Sequence, residues 1–411
     1  MAVKIKQPAG KLTVMEEGVT AARGFHAGGL HCGMRRKRKD LGWLFSEVPA
    51  TASAVYTTNL FQAAPLQVTK ETIAAGKSLQ GLIVNSAVAN ACTGEEGLQN
   101  AYQMRHWFAE KMGLQDYHVA VNSTGVIGEQ LPMHKIRNGI DQITLDMASC
   151  NDFNQAILTT DTFTKTAYVQ LVINEKTVTI GGSAKGSGMI NPNMATMLAF
   201  VTTDAAIETE ALDHTLRTTV NKTFNAITVD GDTSTNDTVM VMANGMAGNQ
   251  TITMRNKEDL ELFQHGLSIV CKELAKQIAR DGEGATKLVE VYVKGCQLRK
   301  NAQAIGKSIV GSSLVKTAIF GADVNWGRII CAAGYSGIPF NTKKVSVSLG
   351  DIEIVRYGLP LAFDEPVVQN YLKHEKEIHI TVDLNEGQEE AYSWGCDLSY
   401  EYVRINASYR T

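Results

Sequence analysis

Apolar and polar positions fall into two rhythms along the chain. Continuous apolar runs, Gly81-Leu82-Ile83-Val84-Asn85, Val119-Ala120-Val121 and Met197-Leu198-Ala199-Phe200-Val201, predict buried strands. Shorter strand patterns fall at 24–30, 41–45, 52–58 and 64–68, so the first 80 residues read as short strands and turns. A strand-turn-strand pattern follows at 168–173 and 176–180, and further strands at 288–293, 345–349 and 378–384. Helical spacing predicts helices over 99–112, 133–147, 208–224, 257–280, 301–318 and 364–374. The mixture predicts an α/β fold of layered sheets and helices, without the regular βαβ repeat of a doubly wound sheet.

The rhythm breaks most sharply in Lys185-Gly186-Ser187-Gly188-Met189-Ile190-Asn191-Pro192-Asn193-Met194-Ala195-Thr196-Met197-Leu198. Its first half is rich in turn-forming residues and its second half opens a buried strand. At the junction a small residue, Ala195, precedes a hydroxyl residue, Thr196. Such a pair can undergo an N→O acyl shift followed by ester hydrolysis. Cleavage there frees the Thr196 amine, whose ordinary pKa of about 8 lets it act as base for its own hydroxyl. Without further context, Thr196 simply starts a core strand.

Composition narrows the class. With 411 residues the chain is long enough for two or three cores, and its net charge of −3 gives no reason to expect a nucleic-acid partner. The run Arg35-Arg36-Lys37-Arg38-Lys39 reads as a solvated loop, since no aromatic platform or recognition helix accompanies it. Seven scattered cysteines, never in Cys-x-x-Cys, argue against a disulfide framework or thiolate zinc site and suit a reducing cytoplasm. The first 18 residues lack the apolar core of a signal peptide, and no run approaches a membrane span. Secretion, membrane insertion and a membrane partner are not expected.

Several motifs carry chemistry only weakly. Asp230-Gly231-Asp232-Thr233-Ser234-Thr235-Asn236-Asp237 lacks the register of a calcium loop. Gly306-Lys307-Ser308 is not a phosphate loop, because Asn301 stands where the first glycine is required. His374 and His379 are five apart and off one helical face, which excludes a zincin helix. His106 and His118 have no ligand partners at useful spacing and read as structural. No metal is expected.

Taken together, KGSGMINPNMATMLAFVTTDA, the Ser-Thr-Gly-Val-Ile-Gly motif at 123–128, VDGDTSTNDT and GADVNWGR resemble the ornithine acetyltransferase (glutamate N-acetyltransferase) family of arginine biosynthesis. The similarity extends from about Val19 to the last residue. It implies ping-pong transfer of acetyl from N-acetylornithine to glutamate in the cytoplasm, without a cofactor, and leaves acetyl-CoA open as a second donor. It implies self-cleavage between Ala195 and Thr196, with Thr196 as nucleophile and Thr124 and Gly125 as the oxyanion hole. The substrate contacts it implies are Thr162, Lys185, Thr196, Glu283, Asn406 and Thr411. Asn236 and Asp237 are candidates to orient the nucleophile. The fold it implies carries the nucleophile on a central strand, with a smaller C-terminal α/β domain and two alpha and two beta chains per assembly. On that basis residues 1–195 form the alpha chain, 196–285 the nucleophile-bearing part of the same core, and 286–411 the C-terminal domain. An N-terminal-nucleophile amidohydrolase, which would admit water to the acyl-enzyme, is the rival enzyme. An uncut binding protein with an inert Thr196 is the rival outside catalysis.

Overall fold

The structure, a computed structural model, describes residues 17–191 and 197–408. Eight strands form the first sheet: β1 (Phe25–Leu30), β2 (Leu41–Tyr56), β3 (Ser78–Asn85), β4 (Val119–Ser123), β5 (Lys165–Ile173), β6 (Lys176–Lys185), β7 (Leu198–Thr203) and β8 (Thr238–Ala243). Their order is β4-β3-β2-β8-β7-β6-β5, with β1 paired to β2 off that path. The pairs β3–β4 and β7–β8 are parallel and the others antiparallel.

Every residue of β7 and β8 is buried, because both faces of the sheet are covered. Leu198, Phe200, Met240 and Met242 point into one core, Ala199, Val201, Val239 and Val241 into the other. The helix Lys257–Arg280 covers β5 and β6 on the second side, and Cys150–Ile157 packs against β1 and β2 on the first. The two strand segments expected at 41–45 and 52–58 are one strand. Its first part pairs with β1 and its second with β8, and the register against β3 slips between Phe45 and Ala50. Pro49, which has no N–H for a ladder, falls inside the slip.

Three predicted elements differ from the structure. Residues 64–68 belong to the helix Ala64–Gly76, not to a strand. Ala64, Leu66 and Val68 imitate strand alternation, but Pro65 occupies the first turn, where its missing N–H costs nothing, and Thr69 and Thr72 continue the buried face. The helix expected over 133–147 stops at Asp141 and resumes only as a 3-10 turn, Leu145–Met147. That expected over 301–318 is two helices, Arg299–Gly311 and Ser313–Phe320, the second capped by the Ser312 hydroxyl. The helix Lys257–Arg280 has the predicted bounds.

The second sheet uses only later residues: β9 (Leu288–Cys296), β10 (Ser346–Leu349), β11 (Ile352–Arg356), β12 (Leu359–Pro360), β13 (Glu377–Asp383) and β14 (Glu389–Cys396), in the order β12-β11-β10-β13-β9-β14. Helix Arg299–Gly311 packs on β9 and β14, and this sheet has its own core. Both sheets are mixed, and the fold is α/β. Strand β7 is interior, between β6 and β8. Thr196, expected at its head, lies outside the described residues, as do Ala195 and Thr411. Among the described residues no helix is long and apolar enough to cross a membrane.

Candidate active site

A cavity of about 280 Å³ opens where β4 and β6 end, where β7 begins, and beside the segment that precedes β8. Thr124, Gly125, Thr159, Lys185, Met197, Asp237, Glu283 and Asn406 are among its lining residues. Met197 is the residue bonded to Thr196.

Strand β4 delivers the first of these groups. Beyond Ser123 the chain turns through buried Thr124, whose N–H donates to Asn85 O at 2.9 Å, into Gly125 at φ +135°. A Cβ on Gly125 would lie 2.1 Å from Ala87 O, so only glycine fits. Among the described residues nothing engages the Thr124 hydroxyl or the Gly125 N–H. The turn is held from behind by buried Asn236, whose Nδ2 donates to Ala89 O (2.6 Å) and Ser123 O (2.7 Å). The Thr235 hydroxyl donates to Asn236 Oδ1 at 2.5 Å, which fixes the amide orientation.

Strand β6 delivers Lys185. Its Nζ donates to the Thr159 hydroxyl at 3.2 Å. Behind it, Lys165 is completely buried between Asp161 (2.7 Å) and Asp281 (2.5 Å). Asp161 also accepts Gly186 N–H and Thr159 N–H, so it ties the start of the glycine-rich stretch to the Thr159 turn. Burial alone would raise the Asp161 carboxyl, but Lys165, Lys185 and the Gly186 N–H outweigh it and hold it at about 2. Withdrawal from water pushes the Lys185 amine down, against the opposing pull of Asp161 and Asp237. Burial pushes the Asp237 carboxyl well up, and Lys185 and the Ser234 hydroxyl oppose that only in part.

Thr162, the expected substrate contact, does not line this cavity. It is exposed, and both its N–H and its hydroxyl are taken by Asp281. The Thr159 N–H bond to Asp161 folds the segment back, so Thr159 and Thr160 face the cavity instead. Three threonines in Thr159-Thr160-Asp161-Thr162 look alike in sequence, and only that local turn distinguishes them.

The aspartate-rich loop is a clamp on the backbone. Asp230 accepts Met189 N–H (2.6 Å) and Ile190 N–H (2.8 Å), while Thr233 donates to Asn191 O and Asn191 to Gly231 O. Its carboxylate is thus occupied by main chain just before the expected cleavage segment. Among the described residues no group of three or more His, Cys, Asp or Glu is placed to hold a metal.

Glu283 and Asn406 also line the cavity and meet 2.8 Å apart through Asn406 Nδ2. Glu283 N–H donates to Ser187 O, and a Cβ on Gly188 would lie 2.4 Å from the Glu283 carboxyl carbon. Asn406 arrives on the helix Tyr400–Asn406, whose cap, Ser399, also donates to Gly284 O. The GADVNWGR stretch is elsewhere. Arg328 donates to Leu314 O, Asn325 to Asp323, and the run opens the helix Trp326–Gly334. His106 faces Asp116 and His118 faces Ser78, both away from the cavity. The basic run is an anchored loop: buried Asp40 accepts the N–H groups of Cys32 and Arg35, Lys39 pairs with Asp152, and Arg38 donates to Thr159 O at 3.2 Å.

The sequence matches the ArgJ family over residues 26–411. It is 52% identical over 402 residues to the arginine biosynthesis bifunctional protein ArgJ of Oceanobacillus iheyensis, covering 98% of each chain. It is 54% identical over 408 residues to the protein of the same name from Geobacillus kaustophilus, covering 99% of each. A solved structure of arginine biosynthesis bifunctional protein argJ from Bacillus halodurans is 51% identical, with a TM-score of 0.49 over 51% of this chain and 97% of that one. The chain belongs to the ArgJ family.

Proposed function

We propose that the cavity at the ends of β4, β6 and β7 carries out the acetyl transfer of the ArgJ family through Thr196. The activity is that of a glutamate N-acetyltransferase of arginine biosynthesis, passing acetyl between ornithine- and glutamate-linked intermediates. The observation that carries the assignment of the cavity is the convergence on it of Thr124, Gly125, Lys185, Glu283, Asn406 and the residue that follows Thr196.

In this reading the chain cuts itself between Ala195 and Thr196. The Thr196 hydroxyl then attacks the acetyl carbonyl of N-acetylornithine while its freed amine takes the proton. The unengaged Thr124 hydroxyl and Gly125 N–H receive the developing oxyanion, where one donor is typically worth about 3–4 kcal/mol. Ornithine departs, and glutamate takes the acetyl group from the Thr196 ester. Lys185 disfavours a proton on the Thr196 amine by like-charge repulsion and offers a cation to a substrate carboxylate. Glu283 offers a carboxylate to an ammonium, Thr159, Asn406 and Thr411 neutral hydrogen bonds. The pieces assemble as two long and two short chains. The relatives' description as bifunctional supports acetyl-CoA as a second donor.

Incubation with glutamate and either N-acetylornithine or acetyl-CoA tests this. N-acetylglutamate should form, with ornithine released in the first case. Release of mainly free acetate at saturating glutamate would make the protein a hydrolase.

A further inference from the structure

The proposed reaction moves two protons in each half, and the residues named so far handle one. The amide nitrogen of N-acetylornithine carries one hydrogen, and ornithine departs as an ammonium with three. One proton comes from the Thr196 hydroxyl through the Thr196 amine as the C–N bond breaks; a second must come from another group. In the return half, glutamate arrives as an ammonium and ends as an amide. One proton goes back through the Thr196 amine to Thr196 Oγ as the new C–N bond forms and the ester C–O bond breaks. The other must be removed first, to free the lone pair that attacks.

Asp237 fits the second task. It is among the residues that line the cavity and is only 2% exposed. Its Oδ2 has no hydrogen-bond partner among the described residues, while the Ser234 hydroxyl serves the carboxyl. Asp161, by contrast, has both oxygens tied, and Asp204, whose Oδ2 also lacks a hydrogen bond, does not line the cavity. Position matters too. Asp237 immediately precedes β8, where Thr238 pairs with Leu198 in the parallel ladder and its N–H donates to Met197 O at 3.0 Å. The carboxyl is therefore carried beside the strand that follows Thr196. Two other charged groups share the cavity: Lys185, which favours the carboxylate, and Glu283, which is tied to Asn406. Burial pushes the carboxyl up toward the neutral acid and Lys185 pulls the other way, so the group is placed to exchange a proton with an amine.

We propose that Asp237 is a further catalytic residue of the transfer, giving the second proton to departing ornithine and, as carboxylate, taking the corresponding proton from incoming glutamate. This rests on the Thr196 reading above.

The test follows loss of labelled acetyl from the enzyme to two acceptors, glutamate and hydroxylamine, whose nitrogen is already unprotonated at neutral pH. Asp237→Asn should slow transfer to glutamate at least about tenfold more than transfer to hydroxylamine. In the variant, kcat/KM for glutamate should climb with pH where the wild type is level. Equal losses for both acceptors would overturn the proposal, and the ratio does not depend on how much of the preparation is folded. Ser234→Ala, which removes the hydroxyl that favours the carboxylate, should move the pH profile upward; an unmoved profile counts against it. A wild-type enzyme that never holds labelled acetyl would instead defeat the covalent reading itself, and this proposal with it.

Discussion

Asn236 Nδ2 donates to the carbonyl of Ser123 at 2.7 Å, joining residues 113 positions apart at the back of the cavity. The same amide nitrogen reaches Ala89 O. One side chain thus fixes both the end of β4 and the loop that Gly125 packs against. The Thr124-Gly125 turn is thereby tied to the segment that leads into β8.

Asn236→Ala should therefore cost about 1–3 kcal/mol of stability, because buried carbonyls lose a donor. Denaturant unfolding measures that. With Thr124 and Gly125 as the proposed oxyanion donors, it should also lower kcat while KM changes little. A stable variant with full kcat would remove Asn236 from the supporting role.

Self-cleavage predicts two pieces. Active protein should yield fragments of 195 and 411 − 195 = 216 residues on intact mass analysis. Thr196→Ala should stay whole and inactive. Full activity from a single uncut chain would end the Thr196 reading.

Thr124→Ala should lower kcat about a hundredfold or more without unfolding the protein, as loss of one oxyanion donor does. Gly125→Ala should do worse and also destabilise, because its Cβ has no room beside Ala87 O. Near-normal kcat in Thr124→Ala would show that its hydroxyl serves another purpose.

Removing residues 406–411 should raise KM for glutamate and N-acetylornithine far more than it affects self-cleavage. Asn406 is bonded to Glu283 and both line the cavity. Water should then gain on glutamate, read as a higher ratio of acetate to N-acetylglutamate, because positioning gives a bound acceptor its advantage. Unchanged partitioning would take the C-terminus out of substrate binding.

The buried Lys165 cation predicts an acid limit. Asp161 is held at about 2, below its unfolded value of about 4, so its contribution is fully present above the unfolded value and is lost as pH falls through the folded one. Lys165→Met should cost about 3–5 kcal/mol at neutral pH, since two buried carboxylates lose their shared partner. Unfolding midpoints measured between pH 2 and pH 7 in both proteins would show whether the acid-sensitive part disappears with the lysine.

What the sequence made legible depended on how local the signal was. The apolar run behind Leu198 and the Lys257–Arg280 periodicity need no partner to be read, and both elements are where the pattern placed them. Pro65 was the available clue against a strand at 64–68, because proline favours a helix's first turn. Thr159 and Thr162 could not be separated without knowing that Asp161 turns back onto Thr159 N–H and that Asp281, 119 residues away from Thr162, takes its hydroxyl. The Asp161–Lys165–Asp281 group was equally hidden. Single charged letters in a chain of ordinary composition do not announce that they are buried together.

A cut at residue 195 would leave β6 in one piece and β7 in the other, yet these strands remain zipped through six register pairs, from Ile180 with Thr203 to Lys185 with Leu198. A second seam of six, between β2 and β8, also joins the pieces. Separation would tear open two interior seams at once and strand unpaired sheet edges in water. The halves of a molecule cut there would therefore be partners for life. Differently labelled pieces mixed under native conditions should not swap, and each molecule should keep the half with which it was synthesised.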